Sequence, residues 1–279
     1  MAIFLRPLAL GELLDRAFQL YRSRFKLFIG IAAVAYLPLF VVETGRLWMF
    51  GRLLHEVRWS SAAAMGVGLG ALVTLVVRLL GVAAANAATI IAVSAAYLDR
   101  PINLREAYGR VSGMLVRVFF IMIGSGIGIG IGLLLFIVPG IILFLMWGLA
   151  IPVAVLEDAG LGDSLSRSRQ LTAGHRGRVF VIYLLYFVLM AALEFGLVAP
   201  IAAVVAAKAG PAAFVGASPL FTVVTAAVGY LILCLITPIL SISLSLMYYD
   251  ERVRKEAFDI QLMMNALGEG PAGSAAATA

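Results

Sequence analysis

At 279 residues, 63% of them hydrophobic and only 13% charged, with a mean hydropathy of +1.05, the chain holds more apolar side chain than a soluble core of this size can bury. This points away from a soluble domain and toward an integral membrane protein. The net charge of +6 does not imply a nucleic-acid partner, because the basic residues lie between apolar runs and form no basic-aromatic module.

The N-terminal stretch "MAIFLRPLALGELLDRAF" is interrupted by Glu12 and Asp15, so it does not read as a cleavable signal peptide, and insertion is expected to begin with a later segment. Six apolar runs follow that approach the roughly 20 residues a spanning helix needs. They lie at about 26–43, within 62–98, at about 115–137, 140–156, 179–201 and 219–248. The second is too long for one perpendicular span and implies tilt, a kink or an interfacial lead-in helix. The third and fourth are separated only by "VPG", Val138 to Gly140, which reads as a tight hairpin with Pro and Gly as breakers.

Basic residues sort onto two sides of such a bundle. One side takes Arg6, Arg16, Arg22, Arg24, Lys26, Arg100, Arg105, Arg110, Arg117, Arg167, Arg169, Arg176, Arg178, Arg252, Arg254 and Lys255. The other takes Arg46, Arg52, Arg58 and Lys208, and Arg78 falls inside a run. Six spans with both termini in the cytoplasm of a bacterial inner membrane satisfy the positive-inside rule at every loop.

The third run contains "GSGIGIGIG", Gly124 to Gly132. A dinucleotide loop needs a preceding strand and a following helix, and an open strand cannot cross lipid, so the stretch is helical. Gly124, Gly128 and Gly132 then form one stripe, suited to close helix packing or, alternatively, to a hinge or pathway wall.

Three segments between the runs share a Leu, an acid two residues on, and an Arg four beyond the acid: Leu10, Glu12 and Arg16; Leu104, Glu106 and Arg110; Leu161, Asp163 and Arg167. Acid and Arg at i and i+4 face each other on a helix. The first two segments carry a helical apolar stripe; in the third, Ser164, Ser168 and Thr172 occupy apolar places. Pro7 and Pro101 suit first helical turns. The chain thus reads as three units, about 6–98, 100–156 and 159–248, each an amphipathic helix followed by a two-span hairpin, in one membrane domain over 1–265. The amphipathic helices are either connectors over the bundle end or recognition elements for anionic lipid or a protein partner. Residues 266–279 are small and low in complexity, and are expected to be disordered.

Three stretches, "RPLALGELLDRAFQLYRSRF", "IVPGIILFLMWGLAIPVAVLED" and "YYDERVRKEAFDIQ", together resemble a bacterial membrane domain found fused to glycerophosphoryl diester phosphodiesterases and also found alone. The resemblance spans most of the chain, leaving out roughly 43–75 and the tail. It implies the membrane module without the hydrolase barrel, and supplies no catalytic residues.

Inside the runs the notable polar groups are Arg78, Asn86 and Glu194. Counted along their helices from the basic side, Arg78 lies about 28 Å up and Glu194 about 22 Å. They are expected to form an ion pair, or to leave Arg78 snorkelling to the outer interface, or to line a substrate or proton site. His55 and His175 fall on opposite sides and Cys234 stands alone, so no metal site is expected. Ser241, Ser243 and Ser245 are expected to bond their own helix. The sequence therefore indicates an all-α, six-span protein with no cofactor, acting as a non-catalytic module for lipid or a membrane-protein partner, with a small transporter or lipid-translocating protein as the alternative.

Overall fold

A computed structural model describes residues 8–56, 61–98, 100–209 and 219–256. The expected tail, Arg6, Pro7 and Arg58 fall outside these residues. Among the described residues all regular structure is helical, and six helices are long and apolar enough to cross a membrane: Phe25–Arg46, Met65–Tyr97, Leu115–Leu135, Ile137–Leu156, Arg176–Ile201 and Val223–Glu256.

In chain order, α1 (Leu10–Ser23) is followed by the first span in α2 (Phe25–Glu56) and the second in α3 (Ser61–Tyr97). A short α4 (Leu104–Val111) precedes α5 (Leu115–Leu135). The fourth span is split into α6 (Ile137–Met146) and α7 (Ala150–Leu156). Next come α8 (Leu161–Thr172) and α9 (Arg176–Leu193), a π-helical turn at Glu194–Val198, α10 (Ala199–Ala209) and α11 (Pro219–Glu256). The last helix is the hub, since α1, α2, α3, α7, α8 and α9 all pack against it.

The reversal between the third and fourth spans is not at Val138–Gly140. The chain turns at Phe136, whose backbone is extended, and "VPG" forms the first turn of α6. Proline is tolerated there because its missing N–H would have no helical partner. Gly140 instead serves close approach: a side chain on Gly132 would come within 3.0 Å of its Cα. Pro101 likewise lies before the helix rather than in its first turn, since Asn103 is the N-cap of α4 and its side chain accepts the Glu106 N–H at 2.9 Å.

Prolines inside spans free backbone carbonyls, and tyrosines from other elements use the carbonyls nearby. Pro238 has no N–H for the Cys234 carbonyl, and the Tyr21 hydroxyl of α1 donates to the adjacent Leu235 carbonyl at 2.9 Å. Pro38 acts similarly in α2, where Tyr230 donates to the Ala33 carbonyl at 3.0 Å and Tyr108 to that of Ile31 at 2.6 Å.

Pro152 cannot donate to the Gly148 carbonyl, and the fourth span breaks at Trp147–Leu149. The polar face of α8 repairs this break. The Ser168 hydroxyl donates to the Met146 carbonyl at 2.8 Å and accepts the Leu149 N–H at 3.1 Å, while the Thr172 hydroxyl donates to Met146 at 3.2 Å. Ser164, Ser168 and Thr172 are fully buried. Ser168 and Thr172 occupy apolar places because a broken helix, rather than a plain apolar wall, lies opposite, while Ser164 donates to the Ala159 carbonyl at 3.2 Å just before its own helix.

Candidate functional site

Two polar regions stand out, one at the basic end of the bundle and one within it. At the basic end, the last turns of α11 bury Asp250 and Glu251, whose side chains are 1% and 0% exposed. Arg178, at the start of α9, donates to Asp250 Oδ2 at 2.6 Å and to Glu251 Oε1 at 2.9 Å. Arg254 adds a bond to Asp250 Oδ2 at 2.9 Å, and the Leu8 N–H donates to Asp250 Oδ1 at 2.7 Å. His175 Nδ1 lies 2.8 Å from Glu251 Oε2. The Leu8 carbonyl in turn accepts from Arg178 at 3.1 Å and Arg254 at 2.6 Å. Every oxygen of the two buried carboxylates is therefore taken, and the segment before α1 is pinned between α9 and α11.

A second cluster adjoins it. Arg167 reaches Glu157 at 3.3 Å and also bonds Glu256, which accepts from Arg252 at 2.9 Å. Tyr248 donates to Glu157 at 2.8 Å. Lys255 donates to the carbonyls of Gln170 and Ala173, both at 2.7 Å, a cation closing the C-terminus of α8. Arg117 donates to the Asp158 carbonyl at 2.8 Å and also binds its carboxylate, which this holds below the usual carboxylate range. Asp158 has a positive φ of 56°, a conformation Asp tolerates better than most residues.

The three repeated acid–Arg pairs behave differently. Glu106 and Arg110 pair at 3.3 Å across one turn. Glu12 accepts the Ala9 N–H at 3.0 Å at the start of its own helix, and Arg16 lies in electrostatic reach of Tyr97. Asp163 is exposed, and Arg167 turns away from it toward Glu157 and Glu256, where low exposure strengthens attraction.

The glycine stripe of α5 faces other side chains closely. A Cβ on Gly124 would lie 2.9 Å from Leu161, one on Gly128 2.6 Å from the Trp147 ring, and one on Gly132 3.0 Å from Gly140. The neighbouring Gly126 and Gly130 meet nothing within 4 Å.

Within the bundle, Arg78, Asn86 and Glu194 do not form one site. The Asn86 side-chain oxygen accepts from Ser241, which makes Asn86 a structural link between α3 and α11. Ser243 and Ser245 bond carbonyls four residues back in α11, Ile239 and Ser241. Glu194 opens the π-helical turn and is exposed, and no ion pair joins it to Arg78 among the described residues. Glu194 lies in the π-helical turn after α9, which packs on α9, α10 and α11 and makes no extended contact with α3. A Cβ on Gly81, one turn from Arg78, would lie 2.9 Å from the Ala35 carbonyl and 3.5 Å from Tyr36, midway along the first span.

Sequence reasoning missed two tyrosines within electrostatic range of Arg78. Tyr36 of α2 and Tyr186 of α9 lie in its electrostatic reach, and both place their hydroxyls next to Thr237 of α11. Tyr36 is 1% exposed and Thr237 6%, yet the Thr237 hydroxyl makes no hydrogen bond of regular geometry. The only signal for this in the sequence is a set of isolated hydroxyl residues in apolar spans. No group of three or more His, Cys, Asp or Glu suited to a metal ion occurs among the described residues.

A family model described as the membrane domain of glycerophosphoryl diester phosphodiesterase matches residues 118–266. It begins after α1 to α4, so the first of the three resembling stretches lies outside the match. Neither a curated protein nor a solved structure matches the chain.

Proposed function

The chain belongs to the family of membrane domains of glycerophosphoryl diester phosphodiesterase, and from that premise we propose that it is a non-catalytic module of the bacterial inner membrane that binds anionic lipid at its basic end. In this reading that end, with both termini, faces the cytoplasm, as the distribution of Arg and Lys favours. The observation that carries the proposal is a division of labour among charges. Glu157, Asp250, Glu251 and Glu256 are tied into structural pairs, while Arg22, Lys26, Arg105 and Arg169 are exposed without an ion pair among the described residues. Basic side chains beside a membrane attract anionic headgroups, each contributing about 1 kcal/mol near the surface.

At the same end the oxygens of Asp250 and Glu251 are taken by arginines, His175 and a backbone N–H, which supports a structural role for these two acids. A lipid-translocating protein is the second reading, favoured by Arg78, a charge within a span that no described acid neutralises.

Thermal unfolding of the purified chain with added phosphatidylglycerol or phosphatidylcholine tests the proposal. Phosphatidylglycerol should raise the midpoint several degrees more than phosphatidylcholine. The combined variant Arg22→Gln, Arg105→Gln and Arg169→Gln should lose most of that difference. Equal responses of parent and variant would overturn it.

A further inference from the structure

A charged side chain among lipid tails is costly unless a partner or a polar cavity meets it. Two such charges, of opposite sign, lie inside candidate spans of this chain: Arg78 within Met65–Tyr97 and Glu194 within Arg176–Ile201. Both are exposed, and no ion pair reaches either of them among the described residues. The spans that carry them are also the two that bury least of their length against the rest of the bundle. Glu194 opens the π-helical turn Glu194–Val198, a rare widening of a helix that recurs at functional positions.

Register on the last helix sets the two charges at similar heights. Tyr97, at the end of α3, stacks on Tyr249 of α11 with ring centroids 4.7 Å apart, and Arg178, at the start of α9, bonds Asp250, the next residue of α11, at 2.6 Å. From that shared level Arg78 lies about 28 Å up α3 and Glu194 about 24 Å up α9, at the helical rise of about 1.5 Å per residue. The difference of about 4 Å is within the reach of an arginine side chain. Within one chain the two do not meet, because the π-helical turn packs on α9, α10 and α11 and makes no extended contact with α3.

Matching height without contact inside the chain suits contact between chains. Rotation about the membrane normal carries a second copy sideways without changing its height, and so brings Glu194 of one copy level with Arg78 of the other. A lipid phosphate would satisfy Arg78 and leave Glu194 stranded. A second copy satisfies both charges, and a two-fold arrangement forms the pair twice. The margins of the two charges are apolar and open: Leu75 one turn before Arg78, and Phe187 and Leu197 on either side of Glu194, are exposed.

We propose that the chain self-associates within the membrane through α3 and the helix containing Glu194, with Arg78 of one copy paired to Glu194 of the other. The pairing stands apart from lipid binding at the basic end.

The test co-expresses two differently tagged copies of the full chain and measures how much of the second is retained with the first in mild detergent, with native mass spectrometry giving the number of chains. The parent should retain its second copy. Arg78→Glu expressed with itself, and Glu194→Arg expressed with itself, should each lose retention roughly tenfold or more, because like charges then meet. Arg78→Glu expressed together with Glu194→Arg should recover it, since each chain then offers the charge the other lacks, and recovery shows that both variants fold. The combined variant Arg22→Gln, Arg105→Gln and Arg169→Gln should associate like the parent, which separates this result from the basic-end proposal. Should the reversals misfold, Arg78→Gln and Glu194→Gln carry the same test, each lowering retention several-fold. A monomeric parent, single reversals that associate as the parent does, or a crossed pair no better than either reversal alone would each overturn the proposal and leave the two charges to lipid or to a different protein.

Discussion

Arg178 donates through one nitrogen to both Asp250, at 2.6 Å, and Glu251, at 2.9 Å, and so ties the first turn of the fifth span to the last turns of the sixth. The acids are adjacent in sequence and buried together, so their charges would repel without the guanidinium. Arg254 and the Leu8 N–H share the remaining burden on Asp250, and His175 that on Glu251. The pair is thus the core of a lock among three parts of the chain that are far apart in sequence.

Removing the centre of this lock should be costly. Arg178→Ala strands two buried carboxylates, and breaking a buried pair costs on the order of 3–5 kcal/mol. Arg105→Ala, at an exposed site, should fall within about 0.5 kcal/mol of the parent. Adding Glu251→Ala to Arg178→Ala should cost less than the sum of the single changes, since the two share one interaction. Thermal or denaturant unfolding in detergent measures all four. Strict additivity would mean that Arg178 and Glu251 do not stabilise each other.

The mend in the fourth span gives a second expectation. Ser168→Ala removes the hydroxyl that serves the Met146 carbonyl and the Leu149 N–H, leaving buried backbone groups short of partners at about 1–3 kcal/mol. Ser166→Ala, on the exposed side of the same helix, should be nearly neutral. Equal stability of the two variants would show that the break is held by packing alone.

How far the sequence reaches is clear from these residues. Span number follows from the length and apolarity of each run, a local property, and all six appear in the structure. The lock is not local: Leu8, Arg178 and Asp250 are joined across separations of 170 and 242 residues, and each charge taken singly reads as topology. Ser168 misleads for the opposite reason. Its place in a helical stripe looks like a defect until the broken helix opposite is known, although Pro152 in that span was a visible sign of the break. Height along a helix pairs Arg78 with Glu194, and height does not fix which residues face each other.

Orientation can be tested with single cysteines in a background lacking Cys234. Ser112 and Ser166 are both exposed at the basic end, so cysteines there report on the side of the membrane. Ser168 is unsuitable because it is fully buried and would resist reagent on either side. Cysteines at Ser112 and Ser166 should be protected from an impermeant thiol reagent in intact cells and labelled once the membrane is permeabilised. Labelling of either in intact cells would reverse the proposed topology.

The glycine stripe supplies its own control within one helix. A side chain on Gly128 would press into the Trp147 ring at 2.6 Å, whereas Gly126, two residues earlier, has nothing within 4 Å. Trp147 belongs to the break in the fourth span and packs against the cluster of Ile121, Ala150 and Ala154, which limits its retreat. Gly128→Leu should therefore destabilise by about 1–3 kcal/mol, as overpacking of a well-packed site does. Gly126→Leu adds an apolar side chain to an open face and replaces glycine by a better helix former, so it should be neutral or mildly stabilising. Gly128→Leu combined with Trp147→Ala should recover part of the loss, because the small residue makes the space that leucine needs. Melting points in detergent decide the matter. If Gly126→Leu is as harmful as Gly128→Leu, the stripe is not set by its contact with Trp147. If Trp147→Ala gives no relief, the constraint lies in the backbone of the neighbouring helix instead.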